Sequence, residues 1–229
     1  MNQAIRLNAI GVFHGNGNNK ATVARQGVLC GSGEGVVELS PGMQYEMALR
    51  DLDGFERIWL LFWFDRNLHW RPTTRPPVPP EGHERVGLFA SRAPYRPNPI
   101  GMSAVRLLSV QGLRLQVAEA DLLEGTPVLD IKPYIPEFDA FPQARYGWLE
   151  HRSCQEWTVS SSPDFMRQFE FLKTRMPWNL LEYACTQLRW NPLDSRHKRV
   201  SSQDGLNGVL AFRTWRMAFL LNQEEHCIQ

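Results

Sequence analysis

A chain of 229 residues, 43% of them apolar, can bury one good core and a smaller second one, so a main domain with an appendage fits its length. A formal charge of +1 excludes a uniformly basic or acidic protein, yet seven arginines fall between Arg66 and Arg106 against only Glu81 and Glu84, a local excess suited to a polyanion or an anionic ligand. The longest apolar run, Ile58 to Phe64, is too short to span a bilayer. Cys30, Cys154, Cys185 and Cys227 and the dispersed histidines show no metal-ligand spacing, so the expectation is a reduced cytoplasmic protein without metal or membrane anchor.

Short runs rich in branched and aromatic residues, broken by Gly, Pro or Asn, predict strands at Ala4 to His14, Gly35 to Leu39, Arg57 to Asp65, Arg85 to Ala90, Ile100 to Val110, Leu113 to Ala120 and Val128 to Tyr134. One helix interrupts them from about Met43 to Leu52, after the start signals Ser40 and Pro41. Val110-Gln111-Gly112-Leu113 reads as a tight hairpin. The pattern is that of a barrel or sandwich. The glycine-rich stretches around Gly15 and Gly31 lack the spacing of a nucleotide loop and read as turns.

After Arg152 the texture changes. Phe165, Phe169, Leu172 and Met176 recur at helical spacing, and Pro177 opens a second helix with Leu181, Ala184 and Leu188 on one side. A basic patch of Arg196, Lys198 and Arg199 follows, then a hairpin from Gly208 to Phe212 and Trp215 to Leu221. The predicted fold is mainly β: one compact antiparallel or mixed barrel over residues 1–152, with a small α+β appendage over 153–229.

Two motifs carry the chemistry. In Gly87 to Ser103 the prolines stiffen the backbone and place Arg92 and Arg96, with Asn98 between Pro97 and Pro99, on a preset ribbon fit to grip an anion. In Asp121 to Pro136 three acids straddle a Gly-Thr-Pro turn, where carboxylates can accept from ribose hydroxyls or an amine. The structural alternative is that Asp121 caps the turn and Asp130 pairs with an arginine of the first loop. No nucleophile elbow or activated cysteine is present to support covalent catalysis.

These two motifs, preceded by Trp70-Arg71-Pro72-Thr73-Thr74-Arg75-Pro76-Pro77, closely resemble the TsaA-like (TrmO) family over nearly the whole chain. The resemblance implies a β-barrel methyltransferase that uses S-adenosyl-L-methionine, works as a homodimer, and methylates N6 of threonylcarbamoyladenosine at tRNA position 37. It implies cofactor contacts at Ala24, Arg25 and Gln26, Asp65 and Arg66, Arg92, Met102, and Asp121, Leu122, Leu123 and Glu124. Departures are Ala24 for the family's proline, Asp65-Arg66 for its usual His-Gln, Glu124 for an Asp, and Asn191 to Arg196 for Asp-Pro-Arg-Pro-x-Tyr. Arg96, Asn98 and Asp130 are the positioning residues expected at the reacting centre; Asp121, Asp130 and water stay open as the proton acceptor. Phosphates are expected at Arg66, Arg71, Arg75, Arg196, Lys198 and Arg199. The rival readings are an RNA-binding barrel without chemistry, and a methyltransferase for another RNA base or a small molecule.

Overall fold

Alternation of buried and exposed side chains builds the first strands of this computed structural model: β1 (Gly11–Gly15), β2 (Gly35–Leu39) and β3 (Arg57–Trp63), the last burying Ile58, Leu60 and Phe62 while the residues between them are half-exposed. The described residues are 5–15, 34–67, 69–76, 85–151, 156–173, 175–176, 179–195 and 198–229. They group into two compact units, one made of the chain up to Thr74 with Arg85–Ala144, the other containing Arg145–Gln229.

A short helix, α1 (Tyr45–Ala48), lies between β2 and β3, and β4 (Thr73–Thr74) pairs with β5 (Val86–Gly87) outside the main sheet. The sheet is completed by β6 (Ile100–Gln111), β7 (Arg114–Ala118) and β8 (Thr126–Pro133). It closes as β1-β2-β7-β6-β3-β8, every neighbouring pair antiparallel, with β8 returning to β1. Phe13, Val37, Leu60, Val105, Leu115 and Val128 fill the interior. The expected mainly β barrel is therefore observed. A one-turn helix, α2 (Pro136–Asp139), follows β8.

The register assigns the loops to one rim. Gly15, closing β1, faces Gly35, opening β2; Gly35 faces Val117 near the end of β7; Trp63, closing β3, faces Ile100, opening β6; and Phe13 faces Thr126, opening β8. The segments that follow β1, β3 and β7 all depart from that rim. Those after β3 and β7 carry the two chemical motifs of the sequence.

Two expectations are corrected. The helix over Met43 to Leu52 is only α1 plus a 3-10 turn at Leu52–Gly54, because Gln44 (φ 57°) and Asp51 (φ 65°) take left-handed backbone that no α-helix passes through. The strand over Arg85 to Ala90 ends at Gly87, where buried Leu88 opens a 3-10 turn whose carbonyl accepts from the Ser91 amide at 3.0 Å and its hydroxyl at 2.8 Å. The hairpin at Gly112 is observed, with Gly112 at φ 58° and Gln111 opposite Arg114.

The second unit contains β9 (Thr158–Val159), α3 (Pro163–Lys173), α4 (Leu180–Leu188), β10 (Val200–Ser202), β11 (Asn207–Phe212), β12 (Trp215–Asn222) and β13 (Cys227–Ile228). Its sheet runs β10-β11-β12-β13-β9, and Phe169, Tyr183, Leu188, Leu210 and Phe219 form its core, as the helical periodicity predicts. Asn179 caps α4 by accepting from the Glu182 amide at 3.0 Å.

In the barrel, Gly101 of β6 lies against the Phe62 ring, and a Cβ there would overlap it. Gly101→Ala is expected to cost about 1–3 kcal/mol of folding stability, since the ring must leave its rotamer well, read as a lower urea midpoint with an unchanged slope.

Candidate active site

The proline-rich segment is held to the strand before it by main-chain bonds. The Arg71 amide donates to Tyr95 O at 3.0 Å and the Leu88 amide to Pro72 O at 2.9 Å, so residues 70–74 and 86–98 form one block. Within it Arg96 Nη1 donates to Ser91 O at 2.9 Å and to Leu88 O at 3.5 Å, and its guanidinium carbon lies 5.6 Å from the centre of the Phe89 ring. Arg96 thus braces the loop from inside. Arg92 is exposed and makes no hydrogen bond among the described residues, while its charge acts on Asp121. Asn98 is exposed, and its carbonyl accepts from the Ile100 amide at 2.7 Å. Pro99 O, next along, accepts from the Phe64 amide at 2.7 Å and ties this segment to the end of β3.

The acidic connection begins at Glu119, whose left-handed backbone (φ 61°) turns the chain off β7 and whose carboxylate pairs with Arg57 at 2.8 Å. Ala120 and Leu122 sink into the core on either side of Asp121. Asp121 itself is half-buried, and Ser103 Oγ donates to its Oδ1 at 2.5 Å. Burial pushes this carboxyl above the ordinary aspartate range; the Ser103 hydroxyl, a backbone bond and the Arg92 charge oppose the rise without cancelling it.

Glu124, three residues further on, goes the other way. Its Oε1 lies 2.9 Å from His14 Nδ1 and its Oε2 accepts from the Gly15 amide at 2.7 Å. The His14 hydrogen bond, aided by the Gly15 amide and by the charges of His14 and Arg66, lowers its carboxyl below the usual glutamate range despite some desolvation. Arg66 Nη2 donates to Glu124 O at 2.6 Å, and the Gly125 amide, at φ 79°, donates to Phe13 O at 2.9 Å. The end of β1, the turn after β3 and the segment after β7 are thereby fastened together around Glu124. A groove of about 350 Å³ adjoins them, lined by His14, Gly15, Gly35, Gln116 and Glu124 among others. A larger hollow of about 570 Å³ lies in the second unit, between its helices and sheet, and holds none of the motif residues.

Not every expected residue joins this rim. Arg92, Asp121, Glu124 and Arg66 do; Asp65 is exposed beside Arg66, 3.9 Å from its Nε. Leu122 is a core side chain, and Leu123 contributes its carbonyl, which accepts from the Thr126 amide at 3.1 Å. Asp130, opposite Leu61, shares the barrel's outer face with Met102, pairs with Lys132 at 3.0 Å and accepts from the Ile131 amide at 2.9 Å. An extra residue between Val128 and Asp130, where the β3 register shifts, turns it outward. Lys198 donates to Gln187 O at 2.6 Å, to Asn191 O at 3.1 Å and to Trp190 O, closing the end of α4. Ala24, Arg25, Gln26 and Arg196 lie outside the described residues. Ser103 and His14 went unrecognised in the sequence. Strand alternation points Ser103 inward with Gly101 and Val105, a signal available once β6 is assumed; nothing local marks His14.

Among the described residues no cluster of three or more His, Cys, Asp or Glu side chains is placed for a metal, and no helix is long and apolar enough to cross a membrane. The family described as tRNA-methyltransferase O N-terminal domain matches residues 12–140. The tRNA (adenine(37)-N6)-methyltransferase of Escherichia coli is 36% identical over 180 residues, 76% of each chain. A probable S-adenosyl-L-methionine-binding protein of Pyrococcus abyssi is 41% identical over 141 residues, 62% of this chain and 74% of that one. The crystal structure of TrmO from Pseudomonas aeruginosa superposes with a TM-score of 0.67 at 28% identity, covering 99% of this chain and 96% of that one.

Because the fold raises the Asp121 carboxyl, folding binds a proton there more tightly than the unfolded chain does. That contribution is fully present below the unfolded value and is lost as pH rises through the folded one. Asp121→Asn is therefore expected to be more stable than the parent at neutral pH, with the gap closing as pH falls into the acid range, measured by denaturant melts across pH.

Proposed function

The chain belongs to the tRNA-methyltransferase O N-terminal domain family, and on that premise we propose that it transfers a methyl group from S-adenosyl-L-methionine to N6 of adenine 37 in tRNA, the base carrying its threonylcarbamoyl group. The observation that carries the mechanism is the Asp121 carboxylate held by the Ser103 hydroxyl at 2.5 Å, with the charge of Arg92 acting on it.

The residues present fit the cofactor's chemistry. S-adenosyl-L-methionine combines a carboxylate, an ammonium and ribose hydroxyls around its sulfonium, and supplies an electrophilic methyl with a neutral thioether as leaving group. Arg92 offers an unengaged planar guanidinium for an anionic group, by charge-assisted bonding. Asp121 offers a fixed carboxylate, and the Arg25 and Gln26 positions lie in the chain between Gly15 and Gly35, whose ends bound the adjoining groove. Glu124 is committed to His14 and Gly15 and serves to shape the rim.

Catalysis asks for alignment first. Orienting the acceptor nitrogen on the methyl carbon can supply about 7–11 kcal/mol in favourable cases, and a proline-stiffened loop braced by Arg96 is suited to that. As the N–CH₃ bond forms, the proton on N6 must leave. Asp121 accepts it: its raised affinity for a proton makes it a stronger base than an exposed aspartate, and the Ser103 hydroxyl keeps Oδ1 occupied so that Oδ2 is the atom presented. Asp130, on the outer face, is not used.

The same reading has the barrel unit hold the cofactor and the second unit contact tRNA through exposed Arg199, in a cytoplasmic homodimer, as the family resemblance implies.

Mass spectrometry of nucleosides from tRNA incubated with the protein and S-adenosyl-L-methionine is expected to show methylation of threonylcarbamoyladenosine; cofactor binding without any methylated nucleoside would reduce the chain to a binding module. Asp121→Asn is expected to lower kcat by about 10²–10⁴-fold. Arg92→Ala should weaken S-adenosyl-L-methionine binding in calorimetry while the unfolding midpoint holds.

A further inference from the structure

Phe89 is three-quarters exposed (75%), although its neighbour Leu88 is buried at 2% and anchors the turn that carries it. Burying a phenylalanine ring is favourable, so this ring is held where intramolecular packing is forgone. It is also held in place. Arg96 lies 5.6 Å from the ring centre, with its guanidinium pinned by Ser91 O and Leu88 O. The ring has a fixed cation beside it and a surface open to solvent.

A second pair of the same kind sits in the same block. Arg71 lies 4.9 Å from the centre of the Tyr95 ring, the Arg71 amide is bonded to Tyr95 O, and Trp70 beside it is 55% exposed. Exposed rings interleaved with arginines, fixed on one rigid block, are complementary to unpaired nucleobases joined by phosphates: every base offers a π-face to a ring and every linkage an anion to a guanidinium. The block also carries Arg92, whose charge acts on Asp121.

We propose that Phe89, backed by Arg96, is a stacking platform for an unpaired base of the anticodon loop adjacent to the acceptor. The aromatic and arginine pairs of this block then form the single-stranded RNA subsite of the enzyme. The inference rests on the reading of tRNA as substrate and adds the surface that receives it. Stacking on Phe89 holds the flanking base while the acceptor base enters the rim beside Arg92 and Asp121.

The test uses the full chain and a fluorescein-labelled anticodon stem-loop RNA, with binding followed by anisotropy at several salt concentrations and S-adenosyl-L-methionine binding followed by calorimetry. Phe89→Ala is expected to weaken RNA binding by about tenfold or more. The loss should be the same at low and high salt, because no phosphate contact is removed. Phe89→Trp should bind as the parent does, Phe89→Leu should behave as the alanine variant, and all three should keep the parent's affinity for S-adenosyl-L-methionine. Parental RNA affinity in Phe89→Ala overturns the proposal, as does parental affinity in Phe89→Leu, which would mean simple apolar contact. So does a loss that tracks a change of oligomeric state in sedimentation velocity, which would mean that a second copy of the chain covers the ring. Failure of the parent itself to bind the stem-loop while it binds S-adenosyl-L-methionine would instead overturn the tRNA reading.

Discussion

Closure of the sheet between β1 and β8 is the constraint that makes a site out of three segments far apart in sequence. In an antiparallel barrel each strand reverses its neighbour, so alternate connections fall on the same rim. Here that parity collects the end of β1 and the start of β2, the long excursion between β3 and β6, and the acidic connection before β8. Opening the barrel at β1 would release Phe13, whose carbonyl holds Gly125, and with it the carboxylate of Glu124 from His14 and Gly15.

The two acids of that connection behave differently because their surroundings differ, a few residues apart. Glu124 is met by an amide and an imidazole and is stabilised as the anion. Asp121 lies between two core residues, and desolvation outweighs the help it receives from Ser103 and Arg92. A carboxylate kept uncomfortable by its site is a cost to folding and an advantage in accepting a proton, the usual trade at a functional position. Glu124 holds the rim together, and Asp121 is the proposed proton acceptor.

The arginines divide in the same manner. Arg96 is turned back on its own loop, Arg57 fixes the turn at Glu119, and Arg66 bonds the Glu124 carbonyl. These hold backbone. Arg92 is left exposed, and the rings of Phe89 and Tyr95 each gain a guanidinium neighbour. A local excess of positive charge is thus partly scaffold and partly exposed.

What could be read along the chain was whatever depends on neighbours in sequence: the period-two strands, the hairpin at Gly112, the helices of the second unit, and the stiffness of the loop from Gly87 to Ser103. The identity of the two chemical motifs was legible for the same reason, since prolines and clustered acids act locally. Which members of those motifs meet was not. Asp130 looked equivalent to Asp121 until one extra residue in β8 turned it to the outer face, and Ser103 gained its importance only from a strand register that sets it beside a carboxylate eighteen residues away. Arg92 and Arg96 are the same residue type on the same ribbon, yet Arg96 is a brace and Arg92 is left exposed. Side-chain identity and spacing set what each group can do; the closing of the sheet decided which groups share a rim, because proximity between distant segments is a property of strand pairing and burial that no local pattern encodes.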